Sequence, residues 1–442
     1  MRPLPETTSA GIAAEGAAIR RRLPVAGLLA ANTISLVGNA ITALAIPWYV
    51  LETTGNAARV GLVGFSAALP AVLAAFFGGA VVDRLGFKRS SIASDLLSGV
   101  TVALVPLLHQ TVGLPFGGLL GLVFLGALLD APGVTARQAL FPDLVGLAGM
   151  RLEGANAAYQ TVQRLSQFLG PALAGILIAL LGASNVLWVD AATFAVSAGL
   201  IAACVPGTRS DSVPGADAPG RARAGSRYLA ETLAGLRFLW QDRLLRTLAV
   251  AVAVTNALDA PLFAVAVPVY ARDVFGSATA LGLMEAGFGA GAVTGALAFA
   301  GVGHRLPRRP AFVAGFALLS LPLWILATAP SLPVAVAANA LVGLVAGPIN
   351  PILMTVRQER VPAALRGRVF GTFTAIALVA MPAGLLLGGL VVDRAGFAAT
   401  IAVIAGGYLL ASGAMLLAPA LRDMDRLRSS RSGVESSPCR TS

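Results

Sequence analysis

Charge is what this chain has least of. Of its 442 residues, 32 are Lys or Arg and 21 are Asp or Glu, together 12%, about half the ~25% usual in a globular domain. Lysine is nearly missing, with Lys88 standing alone among the arginines, and there are two histidines and two cysteines. Each scarcity excludes something. A soluble protein of this length needs a charged surface that these residues cannot cover. A phosphate-cradling P-loop needs Gly-Lys-Ser/Thr, and Lys88 lies between Phe87 and Arg89, so ATP hydrolysis by that route is excluded. Neither His109 nor His304 has a Cys or His neighbour at ligand spacing, so neither a metal nor a cofactor is expected. No nucleophile–base constellation stands out, and no enzymatic activity is expected.

The chain is filled instead with apolar residues, 57% of the total, and its mean hydropathy is +0.80. The 50 Gly and 26 Pro follow no collagen period and suit close helix packing in lipid. A net charge of +11 is compatible with a nucleic-acid partner, but the basic residues fall between apolar blocks and not on one face, so none is expected. This is the composition of a multi-pass membrane protein. Residues Met1 to Arg22 are polar without a separate hydrophobic region, so no cleavable signal peptide is expected.

A bilayer-crossing helix needs ~20 mainly apolar residues. Such blocks occur at about 24–51, 60–82, 91–109, 114–136, 155–181, 185–205, 246–271, 279–303, 311–328, 332–356, 369–392 and 397–419. The expected fold is therefore all-α with twelve transmembrane helices; the alternating pattern of membrane β-strands is absent. Placing the N-terminus inside puts 28 of the 32 basic residues on the cytoplasmic side, among them Arg137 and Arg151 in the connection after span four. Arg59, Arg272 and Arg394 fall outside, and Arg164 falls within a span. The bias of basic residues toward the cytoplasm then sets both termini inside, in a cell membrane. Cys204 and Cys439 share that side, which argues against a structural disulfide.

The expected organisation is a cytoplasmic segment 1–23, a six-helix half 24–205, a cytoplasmic linker 206–245, a second six-helix half 246–419 and a disordered tail 420–442. Within the linker, Tyr228, Leu229, Leu233, Leu236, Leu239 and Trp240 have the spacing of an amphipathic helix on the inner surface. A repeat supports the division. Pro47, Gly55, Gly61 and Arg84 match Pro268, Gly276, Gly282 and Arg305 at an offset of 221. Arg137-Gln138 and Pro142 match Arg357-Gln358 and Pro362 at an offset of 220. Two parallel six-helix repeats form an alternating-access transporter design.

The sharpest local pattern is Gly79-Ala-Val-Val-Asp83-Arg84-Leu-Gly86-Phe-Lys88-Arg89 between spans two and three. Here the chain resembles the major facilitator superfamily, whose loop signature G-x-x-x-D-[RK]-x-G-x-[RK]-[RK] is filled at every specified position. The resemblance implies that Gly79, Asp83, Arg84, Gly86, Lys88 and Arg89, with Asp130, latch the cytoplasmic side. A near copy, Asp393-Arg394-Ala395-Gly396, lacks the basic pair and falls outside by span counting, so an external turn is expected there. The counterpart in the second half, His304-Arg305-Leu306-Pro307-Arg308-Arg309, has lost the Asp and the Gly. Ala45-Ile46-Pro47-Trp48, Asp130-Ala131-Pro132 with Arg137, Phe141-Pro142-Asp143 and Gly170-Pro171-Ala172 resemble the enterobactin-exporter and macrolide-efflux branch.

Ionisable groups inside spans are costly and mark function. Asn156, Gln160, Gln163 and Gln167 form one stripe of span five, with Arg164 beside it. Arg164, ~10 residues in and therefore ~15 Å deep, needs a partner; Asp130 is the first expected and Asp95 the alternative. Asp259 in span seven and Glu285 in span eight are the candidate proton carriers, because carboxyls buried without basic partners exchange protons near neutral pH. Asp190 is expected at the outer interface. Asn32 and Asn39 in span one, Gln160, Gln163, Arg164 and Gln167, with Asn256 and Asn350, are the candidate substrate contacts. The expected function is export of an amphipathic small molecule, a drug, antibiotic or siderophore-like metabolite, by proton antiport. Uptake or facilitated diffusion of a metabolite, and a membrane scaffold or sensor, are the alternatives. The expected partners are the substrate, protons and membrane lipids, and a monomer is expected.

Overall fold

The computed structural model describes residues 7–207, 233–303, 305–362 and 365–425; the side chains of 7–21, 74–81, 83 and 84 lie outside that description. Every regular element among the described residues is helical. In chain order they are α1 (Thr7–Thr54), α2 (Ala57–Leu85), α3 (Phe87–Thr111), α4 (Phe116–Leu147), α5 (Leu152–Leu181) and α6 (Val186–Cys204), then α7 (233–241). After them come α8 (Arg243–Pro261), a π-helical turn (Leu262–Ala266), α9 (Val267–Phe275), α10 (Ala278–Val302), α11 (Arg308–Leu318) and α12 (Ser320–Ala327). The last are α13 (Leu332–Ala346), α14 (Ile349–Arg360), α15 (Arg366–Val379) and α16 (Met381–Leu417). Ten stretches among the described residues are long and apolar enough to cross a membrane. One of them, Arg366–Leu417, runs 52 residues and is broken at Gly396, where φ is 80°.

Helix ends follow local chemistry. Asn56 and Ser277, one repeat apart, each accept a hydrogen bond from the amide three residues on, Arg59 N at 2.8 Å and Ala280 N at 3.3 Å. Such caps satisfy amides that the first turn leaves open. Gly86 (φ 84°) separates α2 from α3 in the same way that Gly396 breaks α16; both need the left-handed backbone that glycine adopts without strain. The near-copied motifs thus share one turn geometry.

Several expectations shift. Residues 7–23 continue α1, and α4 runs eleven residues past the expected end of span four, so Arg137 is a helix residue and not a loop residue. Most of the linker, including Tyr228 and Leu229, and the tail from residue 426, with Cys439, lie outside the described residues. Residues 233–241 are helical with Leu233, Leu236 and Trp240 exposed and Leu239 buried. Residues Pro419–Arg422 form a 3₁₀ turn, and Leu421 and Met424 are buried, so the first residues assigned to the tail are folded.

Contacts divide the chain into two units, Met1–Ile46 with Leu69–Ala216, and Pro47–Ala68 with Asp217–Ser442. In the first, Val25, Leu28 and Ala31 of α1 pack with Leu140, Phe141 and Leu144 of α4, Tyr159 of α5 and Ile201 of α6. In the second, α10 and α13 meet through glycines. A Cβ on Gly287, Gly291 or Gly295 runs into the α13 carbonyls of Val336, Ala340 and Leu344, and one on Gly343 runs into the α10 carbonyl of Phe288. Small residues bring backbones together where lipid supplies no hydrophobic drive. Gly61 of α2 lies against Leu385 O and Gly389 of α16 in the same manner, which is why residues 47–68 group with the second unit.

Candidate functional site

Each unit holds buried or half-buried carboxylates, partnered to different degrees. In the first, Asp95 of α3 is fully buried and faces Arg137 of α4, itself 1% exposed. Arg137 Nη1 donates to Asp95 Oδ1 at 2.6 Å, and Ser197 Oγ of α6 donates to Asp95 Oδ2 at 2.7 Å. Asp130, seven residues before Arg137 on α4, is 3.9 Å from Arg137 Nη2 and receives Asn39 Nδ2 of α1 at 3.2 Å. Asp190 of α6 is fully buried and accepts from Thr42 Oγ1 of α1 and from its neighbour Thr193. Gly38 allows this approach, since a Cβ there collides with Thr193 and Asp190. Asn39 and Thr42 lie three apart, so one face of α1 serves two carboxylates.

The pairing expected for Arg164 is therefore corrected. Arg164 is exposed and makes no ion pair among the described residues, whereas both carboxylates proposed for it turn to Arg137. Sequence reasoning missed Arg137 because it ended span four at residue 136, eleven residues before α4 ends. The Asp130-to-Arg137 spacing, two helical turns on one face, was the available signal. Asp190, expected at the outer interface, is buried and bonded between α1 and α6.

In the second unit, Asp259 of α8 is half-buried and accepts a hydrogen bond from Tyr408 Oη of α16. It lies just ahead of Pro261 and the π-helical turn. Proline cannot donate to the preceding turn, and π turns often mark functional sites. Asn256 Nδ2, one turn earlier, donates to Ala377 O at 2.8 Å. Glu285 of α10 is half-buried, and its Oε1 is sealed without a hydrogen-bond partner. Neither carboxylate has a basic partner among the described residues. Arg357, which the repeat aligns with Arg137, rests on Phe370 and Phe373 with its guanidinium 4.5 and 4.3 Å from the ring centres. The aligned cations are therefore held differently, one by a carboxylate and one by aromatic faces.

Of the remaining expected residues, Gln160, Arg164 and Gln167 are exposed on α5 and Gln163 is half-buried. Asn32 is buried beside Tyr159, and Asn350 is exposed. In the latch motif, the side chains of Gly79, Asp83 and Arg84 lie outside the described ones. Lys88 Nζ donates to Ala202 O at 3.0 Å, a cation on the last turn of α6 where carbonyls are left open. Arg89 is exposed. Among the described residues no group of three or more His, Cys, Asp and Glu could hold a metal.

The MFS_3 family of transmembrane secretion effectors matches residues 19–438. The multidrug efflux pump Tap of Mycolicibacterium fortuitum is 36% identical over 408 residues, 92% of this chain and 98% of that protein. Tap of Mycobacterium tuberculosis is 35% identical over 91% of this chain and 95% of its own length. Macrolide efflux protein A of Streptococcus pyogenes is 24% identical over 83% of this chain and 89% of its own. Among solved structures, a variant of the nucleoside transporter NupG has a TM-score of 0.70 at 14% identity, covering 89% of this chain and 98% of that one. The human organic anion transporter MFSD10 has a TM-score of 0.57 at 21% identity, covering 89% and 99%; both likenesses concern the fold alone. A family match across most of the sequence, joined to relatives more than a third identical along nearly all of it, places this multi-pass membrane chain among the transmembrane secretion effectors of the major facilitator superfamily, which are transporters and not enzymes.

Proposed function

We propose that the chain exports amphipathic drug-like molecules from the cytoplasm by alternating access, driven by proton antiport. The observation that carries export is the 36% identity to the Tap multidrug efflux pump over 92% of the chain. The fold reading is twelve spans, reached by breaking Arg366–Leu417 at Gly396 and counting Ala57–Leu85 as a span. Both termini are cytoplasmic in this reading, which follows the arginine distribution.

Asp259 and Glu285 carry the coupling in this proposal. A carboxylate in a span with no cation beside it is costly when charged, so it is neutralised by a proton unless water or a partner reaches it. Opening to one side hydrates the group and releases the proton; opening to the other reloads it. The α5 face with Gln160, Arg164 and Gln167 is exposed, and such polar groups are costly against hydrocarbon, so it is assigned to substrate contact, with Gln163, Asn32, Asn39, Asn256 and Asn350. Gly79, Asp83, Arg84, Gly86, Lys88 and Arg89, with Asp130, form the cytoplasmic latch, and the transporter acts as a monomer in lipid.

The test is transport in proteoliposomes with erythromycin and ethidium as probes. Export that requires an opposing pH gradient supports the proposal. Uptake, gradient-independent equilibration, or no movement of a diverse probe panel each replaces it, with an importer, a facilitator or a non-transporting scaffold respectively.

A further inference from the structure

We propose that Arg137 is a counter-ion shared by Asp95 and Asp130, and that a proton on Asp130 decides which of them it holds. The inference rests on the antiport reading, but it gives the first unit a proton site separate from Asp259 and Glu285.

One guanidinium stands against two carboxylates. Asp95 is satisfied on both oxygens, by Arg137 Nη1 at 2.6 Å and Ser197 Oγ at 2.7 Å. Asp130 is not. Its Oδ2 receives Asn39 at 3.2 Å, while Oδ1 is buried and receives nothing, although Arg137 Nη2 is 3.9 Å away. Arg137 Nε is also buried and donates to nothing. Two half-satisfied groups of opposite charge thus sit on one helix face, one small rotation from pairing.

The other groups facing this point add acid, not base. Asp190 of α6 lies within electrostatic reach of Asp130 and among the described residues is held by the hydroxyls of Thr42 and Thr193. Tyr159 of α5 stands near Arg137, its hydroxyl close to Gln138 and Asn32. Asp95 and Asp130 therefore share a single arginine, with Asp190 close by, and charging all three leaves negative charge unbalanced inside the bundle. Asp130 is the place where a proton adds a donor to an unbonded oxygen without breaking an existing bond.

The two states differ in which helices are tied. With Asp130 protonated, Arg137 belongs to Asp95 and links α4 to α3, and through Ser197 to α6. With Asp130 ionised, Arg137 is drawn to it, the pair lies within α4, and the link to α3 slackens. Asn39 is bonded to Asp130, so α1 senses the same proton. An ion pair that moves from between helices to within one is a two-state element that a proton can bias. Asp130 carries the proton here, and Arg137 is a positioning residue.

Infrared spectroscopy of the full chain in liposomes reads this directly, as a protonated-carboxyl band that titrates with pH. The Asp259→Asn/Glu285→Gln variant serves as background, so that only other carboxyls report. A titrating band is expected to remain there, and Asp130→Asn, which keeps the side chain's shape, should remove it. Asp95→Asn should remove it as well with Asp130 still present, because Arg137 then passes to Asp130 and keeps it ionised; Asp95→Ser replaces this variant if Asn does not fold. No titrating band in the background, a band that survives Asp130→Asn, or one removed only by Asp190→Asn overturns the proposal, as does a band unchanged by loss of Asp95. Gradient-driven erythromycin export by the unmodified protein is scored separately. If export fails while the band behaves as stated, the antiport reading falls and the proton site stands; pumping without the band removes the proton site alone.

Discussion

Arg137 and Asp95 are each almost wholly enclosed, so Asp95 does not tolerate loss of Arg137, whereas Arg137 keeps Asp130 within reach when Asp95 is lost. A buried ion pair gains little over an apolar pair of similar size, but breaking it by removing one partner leaves a charge that nothing offsets, a loss of ~3–5 kcal/mol. Arg137→Ala is expected to reduce the yield of folded protein and lower its melting temperature. Arg137→Ala with Asp95→Asn should recover part of both, read by size-exclusion profile and thermal melting in detergent; a double variant no better than the single removes the pair as the cause. Asp259 and Glu285 in the second unit have no such cation among the described residues. Asp259→Asn keeps shape and hydrogen-bonding capacity, and Tyr408 can still donate to it, but titration is gone. Efflux against a substrate gradient should be lost while exchange down the gradient persists, in paired proteoliposome assays. If Asp259→Asn pumps normally and Glu285→Gln does not, the carrier is Glu285.

Among the elements, the α10–α13 contact and the start of α8 show two ways a sequence fixes a helix. On α10, Gly287, Gly291 and Gly295 repeat every four residues and lie against carbonyls of α13, so the approach is set by the missing Cβ atoms. Gly291→Val forces the backbones apart, and overpacking of this kind costs about 1–3 kcal/mol. A lower melting temperature is expected, with little change in coupling where folded protein remains; an unchanged melting curve means the helices can separate without loss. At α8, Asp242 Oδ1 accepts from Leu244 N and Leu245 N, both at 3.0 Å, while Oδ2 receives Arg360 Nε of α14 at 2.6 Å. Asp242→Ala removes the cap and the link together. The cap alone is worth ~1 kcal/mol, and the partly exposed ion pair adds less than that.

At the scale of the molecule, orientation and gating are the properties to test. With both termini inside, a membrane-impermeant maleimide should label Cys439 in inverted vesicles and not in intact cells. Labelling of intact cells places that end outside and overturns the topology. Asp83→Asn should leave insertion intact and sharply reduce transport, because the proposed latch loses its charged tie; full transport by a well-expressed variant removes that role. Much of this was legible in the sequence, for an identifiable reason. Lipid imposes ~20 apolar residues per crossing, so composition and block length alone reveal a multi-pass chain, and the Asp83 to Arg89 pattern resembles its superfamily. Glycine at Gly86 and Gly396 is likewise a local requirement, and both turns could be read from their neighbours. The partners of the buried charges could not. Arg164 and Arg137 are both arginines near Asp130 in the chain's span order, and the choice between them depends on where α4 ends and which face it turns to α3. That rotation comes from the packing of whole helices, which brings Asp95, 42 residues from Arg137, within hydrogen-bonding distance. Local sequence determined that charges lie inside the membrane; tertiary packing decided which of them are balanced, because balance is a property of distances between helices and not of any one of them.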